Sequence, residues 1–110
     1  MDKNLEKPAG LSKLGEKAYD TIMAVLIEHG ATETGGCKAF YSPAEWKARG
    51  ERYGLGSELI IVYDGGDHGR FFSHDLDFPK YTCLTRMVEA LKKVGVYSEE
   101  CTGWYAAIHK

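Results

Sequence analysis

At 110 residues with 44% hydrophobic side chains, the chain is the size of one ordinary domain and can bury a core without metals or disulfides to hold it. Its formal charge of −2, from 14 basic and 16 acidic side chains, excludes a general attraction to phosphate backbones or anionic membranes, so nucleic acid and lipid are disfavoured as partners. Cys37, Cys83 and Cys101 are an odd set without a C-x-x-C pair, which fits neither a disulfide framework nor a zinc knuckle.

The first ten residues are polar, contain Pro8 and Gly10 and show no periodicity, so a flexible lead-in over 1–10 is expected, followed by one domain over 11–110. They lack a signal-peptide core, and the run IMAVLI in the first helix is too short to span a bilayer, which points to a soluble cytoplasmic protein. Leu11, Leu14, Ala18, Ile22, Val25, Leu26 and His29 fall on one helical face, widened by Met23 and Ile27. Ser12 can cap this helix and Gly30 can stop it, while Gly15 weakens its first turn by roughly 1 kcal/mol relative to alanine.

After a turn-rich stretch, Cys37 to Tyr41 reads as a short edge strand. Ser42-Pro43-Ala44-Glu45 is a capping box with proline at the first helical position, which starts a second helix that should end near Gly54. Trp46, Arg49, Gly50 and Tyr53 share one face of it, so it should pack through its two aromatic rings. Glu58 to Asp64 reads as a strand, and the unbroken apolar run Leu59 to Val62 implies burial on both faces. Gly65, Gly66 and Gly69 punctuate a turn, and Arg70 to His74 is expected to return as a second strand with Phe71 and Phe72 on opposite faces. Leu84, Met87, Val88, Leu91 and Val94 mark a third helix closed by Gly95, with Lys92 and Lys93 in its last turn. Ser98 to Gly103 reads as a loop and Trp104 to His109 as a final strand.

The expected fold is α+β: three helices and a small antiparallel or mixed sheet of three to four strands around a split β-α-β core. In that topology the start of the last strand lies beside the end of the central one. Glu99, Glu100 and Cys101 should then approach Asp64, Asp67 and His68 as an acidic end of the sheet.

No stretch carries a G-x-S-x-G, a phosphate loop or an H-E-x-x-H. Asp64, Asp67 and His68 with Glu99 or Glu100, or His74, Asp75 and Asp77 with His109, could form a metal set. Aspartate and glycine are also what a tight turn requires, so no metal, cofactor or catalytic residue is assigned. A histidine beside an aspartate could serve acid–base chemistry, and Cys37 or Cys101 could be nucleophiles, although carboxylates beside Cys101 would raise its thiol pKa.

The aromatic residues are more informative, because both sheet faces ask for cover and the polar second helix looks a poor lid for one of them. The N-terminal segment together with the second helix, a ligand or a second subunit could supply that cover, and for a small domain a symmetric dimer is the commonest. The leading expectation is therefore a non-enzymatic binding or regulatory module, homodimeric, with Asp64, Asp67, His68, Glu99 and Glu100 meeting a basic protein partner. The alternative is a small-molecule pocket between the sheet and the second helix, formed by Trp46, Arg49, Tyr53, Tyr63, Arg70 and Trp104. A basic patch of Lys38, Lys47, Arg49 and Arg52 lacks the module or overall charge of a nucleic-acid binder.

Overall fold

The computed structural model describes residues 3–73 and 82–110. Within them lie helices α1 (Lys13–Glu28), α2 (Pro43–Ala48) and α3 (Thr82–Lys93), and strands β1 (Phe40–Tyr41), β2 (Leu59–Val62), β3 (Tyr97–Thr102) and β4 (Tyr105–His109). The strands form one sheet in the order β1-β2-β4-β3, antiparallel at every junction. The α+β class expected from the sequence is the one observed.

β2 and β3 both run antiparallel to β4. They are therefore parallel to each other, joined through α3, with β4 between them. A split β-α-β arrangement is thus present, but β4 holds the central place expected for β2. The expected return strand is not formed over its described residues: Asp67–Phe71 is a 3-10 turn whose end is tied by Phe72 and Ser73 N–H groups to the Gly69 carbonyl, at 3.0 and 2.9 Å. Phe71 and Phe72 are both buried, through this tight turn rather than through a pleat. His74 to Phe78 lie outside the described residues. The strand the sequence conceals is β3, because YSEECT is polar and alternates only weakly.

Two apolar layers flank the sheet. On one side Phe40, Leu59, Ile61, Ala106 and Ile108 pack with Ala18, Ile22, Val25 and Leu26 of α1 and Met87 and Leu91 of α3. α1 is capped by Ser12, whose hydroxyl accepts from the Gly15 N–H at 2.9 Å and donates to Glu58 Oε1 at 2.6 Å. Gly15 has a packing reason: a Cβ there would stand 2.5 Å from the Glu58 carbonyl oxygen, so only a glycine lets α1 approach the strand this closely. The N-terminal segment docks. Leu5 is fully buried in this layer, the Tyr19 hydroxyl donates to its carbonyl, and the Ala39 N–H donates to the Asn4 carbonyl at 2.8 Å. One leucine in a polar stretch has no local periodicity to announce it.

The other layer is smaller: Trp46, Ile60, Val62, Tyr105 and Ala107, edged by Tyr41, Cys101 and Trp104. α2 closes this face with a single side chain, the fully buried Trp46. Its ring centroid lies 4.9 Å from Tyr105, 5.1 Å from Tyr41 and 6.0 Å from Trp104. The helix is shorter than expected, ending at Ala48 with Arg49 as its C-cap and Gly50 turning the chain away, so Tyr53 falls beyond it and is 65% exposed. The poor lid expected from composition is an effective one, because one indole carries as much apolar surface as several smaller residues.

Candidate functional site

The capping box of α2 positions the main site. The Ser42 hydroxyl accepts from the Glu45 N–H at 3.1 Å, and Glu45 Oε1 accepts from the Ser42 N–H at 2.9 Å. This fixes the helix against β1 and aims Trp46 into the sheet. Burial pushes the Glu45 carboxyl up, but the Ser42 N–H and the Lys38 ammonium outweigh it and hold the group below its ordinary value. Lys38 Nζ lies 2.9 Å from Glu45 Oε2 and 4.7 Å from the centre of the Tyr41 ring. The Arg49 guanidinium is laid over two rings, 4.6 Å from Trp46 and 5.1 Å from Tyr41, and meets Glu51 at 3.5 Å.

Beside this arrangement runs a groove of about 330 Å³ lined by Cys37, Lys38, Tyr41, Arg49, Val62, Asp64 and Trp104. It carries two cations on aromatic faces and one carboxylate. Such a site can hold a flat molecule by stacking and an anionic group by charge-assisted hydrogen bonds.

Of the residues expected to bind a ligand, Arg49 and Trp104 line the groove, while the fully buried Trp46 packs against both and does not line it. Tyr63 points to the opposite layer, where its hydroxyl donates to the Thr102 carbonyl at 3.4 Å and its ring stacks on Phe72 at 6.0 Å. Burial, and then the Glu100 carboxylate, push that hydroxyl well above its ordinary range. Arg70 belongs to the 3-10 turn, its guanidinium 5.5 Å from the Phe71 ring, and does not line the groove. Tyr53 stands at a second, smaller groove of about 180 Å³ with Glu99, Glu100 and Cys101. Residues the sequence reading left out of the ligand set are Cys37, Lys38, Tyr41, Val62 and Asp64. The position of Tyr41 immediately before the capping serine was the available signal.

The acidic end is split. Trp104 does lie beside the end of β2, its carbonyl accepting from the Tyr63 N–H at 2.9 Å. The chain then folds back so that Glu99 pairs with Ala107 and Glu100 with Ala106, carrying both glutamates along the sheet edge. Asp64 stays at the first groove. Asp67 donates its N–H to the Glu33 carbonyl at 2.7 Å, and His68 is fully buried, its Nε2–H donating to the Val62 carbonyl at 2.7 Å. Burial pushes the His68 pKa down, while the carbonyls of Val62 and Glu33 and the Asp67 carboxylate pull the other way.

Among the described residues no three histidine, cysteine, aspartate or glutamate side chains gather as a metal set. His109 pairs with Glu99 at 3.0 Å; its expected partners His74, Asp75 and Asp77 lie outside the described residues. The Cys101 thiol is pushed up, by burial first and by Glu99 second. No described helix is long and apolar enough to cross a membrane. No family model, curated protein or solved structure matches the chain.

Proposed function

We propose that the protein is a non-enzymatic ligand-binding module whose groove between α2 and the sheet takes a small, flat molecule bearing an anionic group. The observation that carries this reading is the paired placement of Lys38 and Arg49 over the Tyr41 and Trp46 rings at the side of a groove of about 330 Å³ walled by Trp104. A volume of that order suits a ligand of one or two rings. The Arg49 guanidinium has five N–H donors, more than its ion pair with Glu51 can occupy, and stacking on two rings preorients them.

Naphthalene-2-sulfonate is a suitable probe, followed by amide chemical shifts of the full chain, with naphthalene-2-methanol as its neutral counterpart. Shifts should centre on Cys37, Lys38, Arg49, Asp64 and Trp104. Arg49→Gln should weaken binding about tenfold, the loss of one charge-assisted contact of about 1.5 kcal/mol. Equal binding of the sulfonate and the alcohol, or shifts centred elsewhere, would overturn the reading.

The homodimer stands as a separate proposal. It rests on an uncovered sheet face, much of which Trp46 fills. Light scattering decides it, since the mass of a single chain at high concentration rules a dimer out.

A further inference from the structure

We propose, resting on that reading of the groove, that its ligand is a free guanine mononucleotide, with the phosphate held by Lys38 and Arg49 and the N1–H and 2-amino donors of the base received by Asp64. The groove of about 330 Å³ has two chemically different ends. Both cations belong to the level of Tyr41, their charged groups 4.7 and 5.1 Å from its ring centre. Each already meets a glutamate, Glu45 at 2.9 Å and Glu51 at 3.5 Å. A lysine ammonium has three donors and an arginine guanidinium five, so donors remain for a phosphate.

Asp64 marks the other end. It is exposed, lines the groove and forms no hydrogen bond or ion pair among the described residues. In a groove that takes an anion, a carboxylate repels the ligand unless the ligand also brings donors to it. A carboxylate is an acceptor only, with two oxygens side by side, so its best partner is a rigid pair of adjacent N–H groups. Among the common bases guanine alone presents such a pair; the corresponding edge of adenine has one acceptor and one donor.

The sheet sets the distance between the ends. Tyr41 is opposite Ile60 in the β1–β2 pairing, and Asp64 lies further along the same chain beyond Val62. At about 3.3 Å per residue the two levels are about 13 Å apart, and side chains reaching inward shorten the gap to about the length of an extended purine mononucleotide. An α-amino acid does not fit, because its ammonium and carboxylate share one carbon and cannot meet both ends. The Tyr63 N–H donates to the Trp104 carbonyl at 2.9 Å, so the Trp104 wall stands next to Asp64. A base stacked on that wall has its edge toward the carboxylate, and stacking on an aromatic side chain suits any base, which leaves the choice among bases to Asp64.

The test follows amide shifts of the full chain with guanosine, inosine and adenosine 5′-monophosphates, beside naphthalene-2-sulfonate. Guanosine monophosphate should shift Lys38, Arg49, Asp64 and Trp104. The inosine nucleotide, which lacks the 2-amino group, should bind about fivefold more weakly, and the adenosine nucleotide at least about tenfold. Asp64→Asn should abolish the preference for guanine over adenine, yet tighten naphthalene-2-sulfonate about twofold by removing a like charge. A trinucleotide with guanosine at its centre should bind more weakly than the mononucleotide; tighter binding would assign the site to RNA and overturn the free nucleotide. Equal binding of the guanosine and adenosine nucleotides, or a preference that survives Asp64→Asn, also overturns the proposal. So does Asp64→Asn weakening nucleotide and sulfonate alike, which would make Asp64 a support of the groove's shape. If the sulfonate binds and millimolar guanosine monophosphate does not, this inference falls while the groove reading stands; if neither binds, both fall.

Discussion

Trp46→Ala tests the packing on which the groove depends. The side chain is fully buried, touches the rings of Tyr41, Trp104 and Tyr105 and carries the Arg49 guanidinium on its face. Its indole N–H donates to the Tyr53 carbonyl at 3.1 Å. Truncating a buried tryptophan costs about 3–5 kcal/mol through lost burial and the cavity left behind. The lost hydrogen bond adds about 1 kcal/mol. A total of about 4–6 kcal/mol is a large part of the roughly 5–15 kcal/mol that holds a domain of this size. With a urea slope of about 2 kcal/mol/M, the midpoint should fall by about 2–3 M. Trp46→Phe keeps an aromatic ring in the layer and should cost about 2 kcal/mol, or about 1 M. The assay is urea unfolding followed by circular dichroism, since fluorescence would lose one of its two tryptophans. A midpoint shift below about 0.5 M for Trp46→Ala, with the slope unchanged, would refute the argument. It would mean that α2 is not the cover of this face.

Three further expectations follow from the surrounding geometry. His68 is buried with its pKa lowered, so the folded state binds fewer protons than the unfolded one below the ordinary histidine value of about 6.5; thermal stability should be complete above that pH and fall as the solution is acidified through it, and if His68→Gln shows the same slope as the parent between pH 7.5 and 5.5, another group is responsible. Gly35 has φ +70° and a Cβ there would collide with the Gly65 carbonyl, so Gly35→Ala should cost more than about 2 kcal/mol in denaturant unfolding, whereas a loss under about 0.5 kcal/mol would show that the two loops do not touch. Ser42→Ala removes the hydroxyl that accepts from Glu45 and should cost about 1 kcal/mol, with weaker naphthalene-2-sulfonate binding, since Lys38 is held through Glu45; unchanged affinity would separate the groove from the helix cap.

The helices were legible because each is specified locally. The spacing of Ala18, Ile22, Val25 and Leu26, the hydroxyls of Ser12 and Ser42, and Glu45 three residues after its cap all act within one or two turns of chain. The four-residue run Leu59–Val62 announced a strand buried on both faces, and it is one. Arg49, Trp104 and Trp46 could be assembled into one site because a helix start and a strand end predict their neighbourhood. Tyr63 and Arg70 could not be excluded from it, since which face of a strand a tyrosine takes depends on register, and Arg70 depends on a turn mistaken for a strand.

The sequence by itself determined the class of fold, the three helices with the caps of α1 and α2, the double-sided burial of β2 and the weak net charge, all properties of residue type and short-range spacing. The tertiary structure alone decided that β4 lies between β2 and β3, that β3 is a strand, and that Glu99 and Glu100 leave Asp64 for the sheet edge. The physical reason is common to all three. A polar edge strand gains its structure from hydrogen bonds to a neighbour far along the chain, and YSEECT holds no sign of that neighbour until Tyr105 to His109 folds back against it.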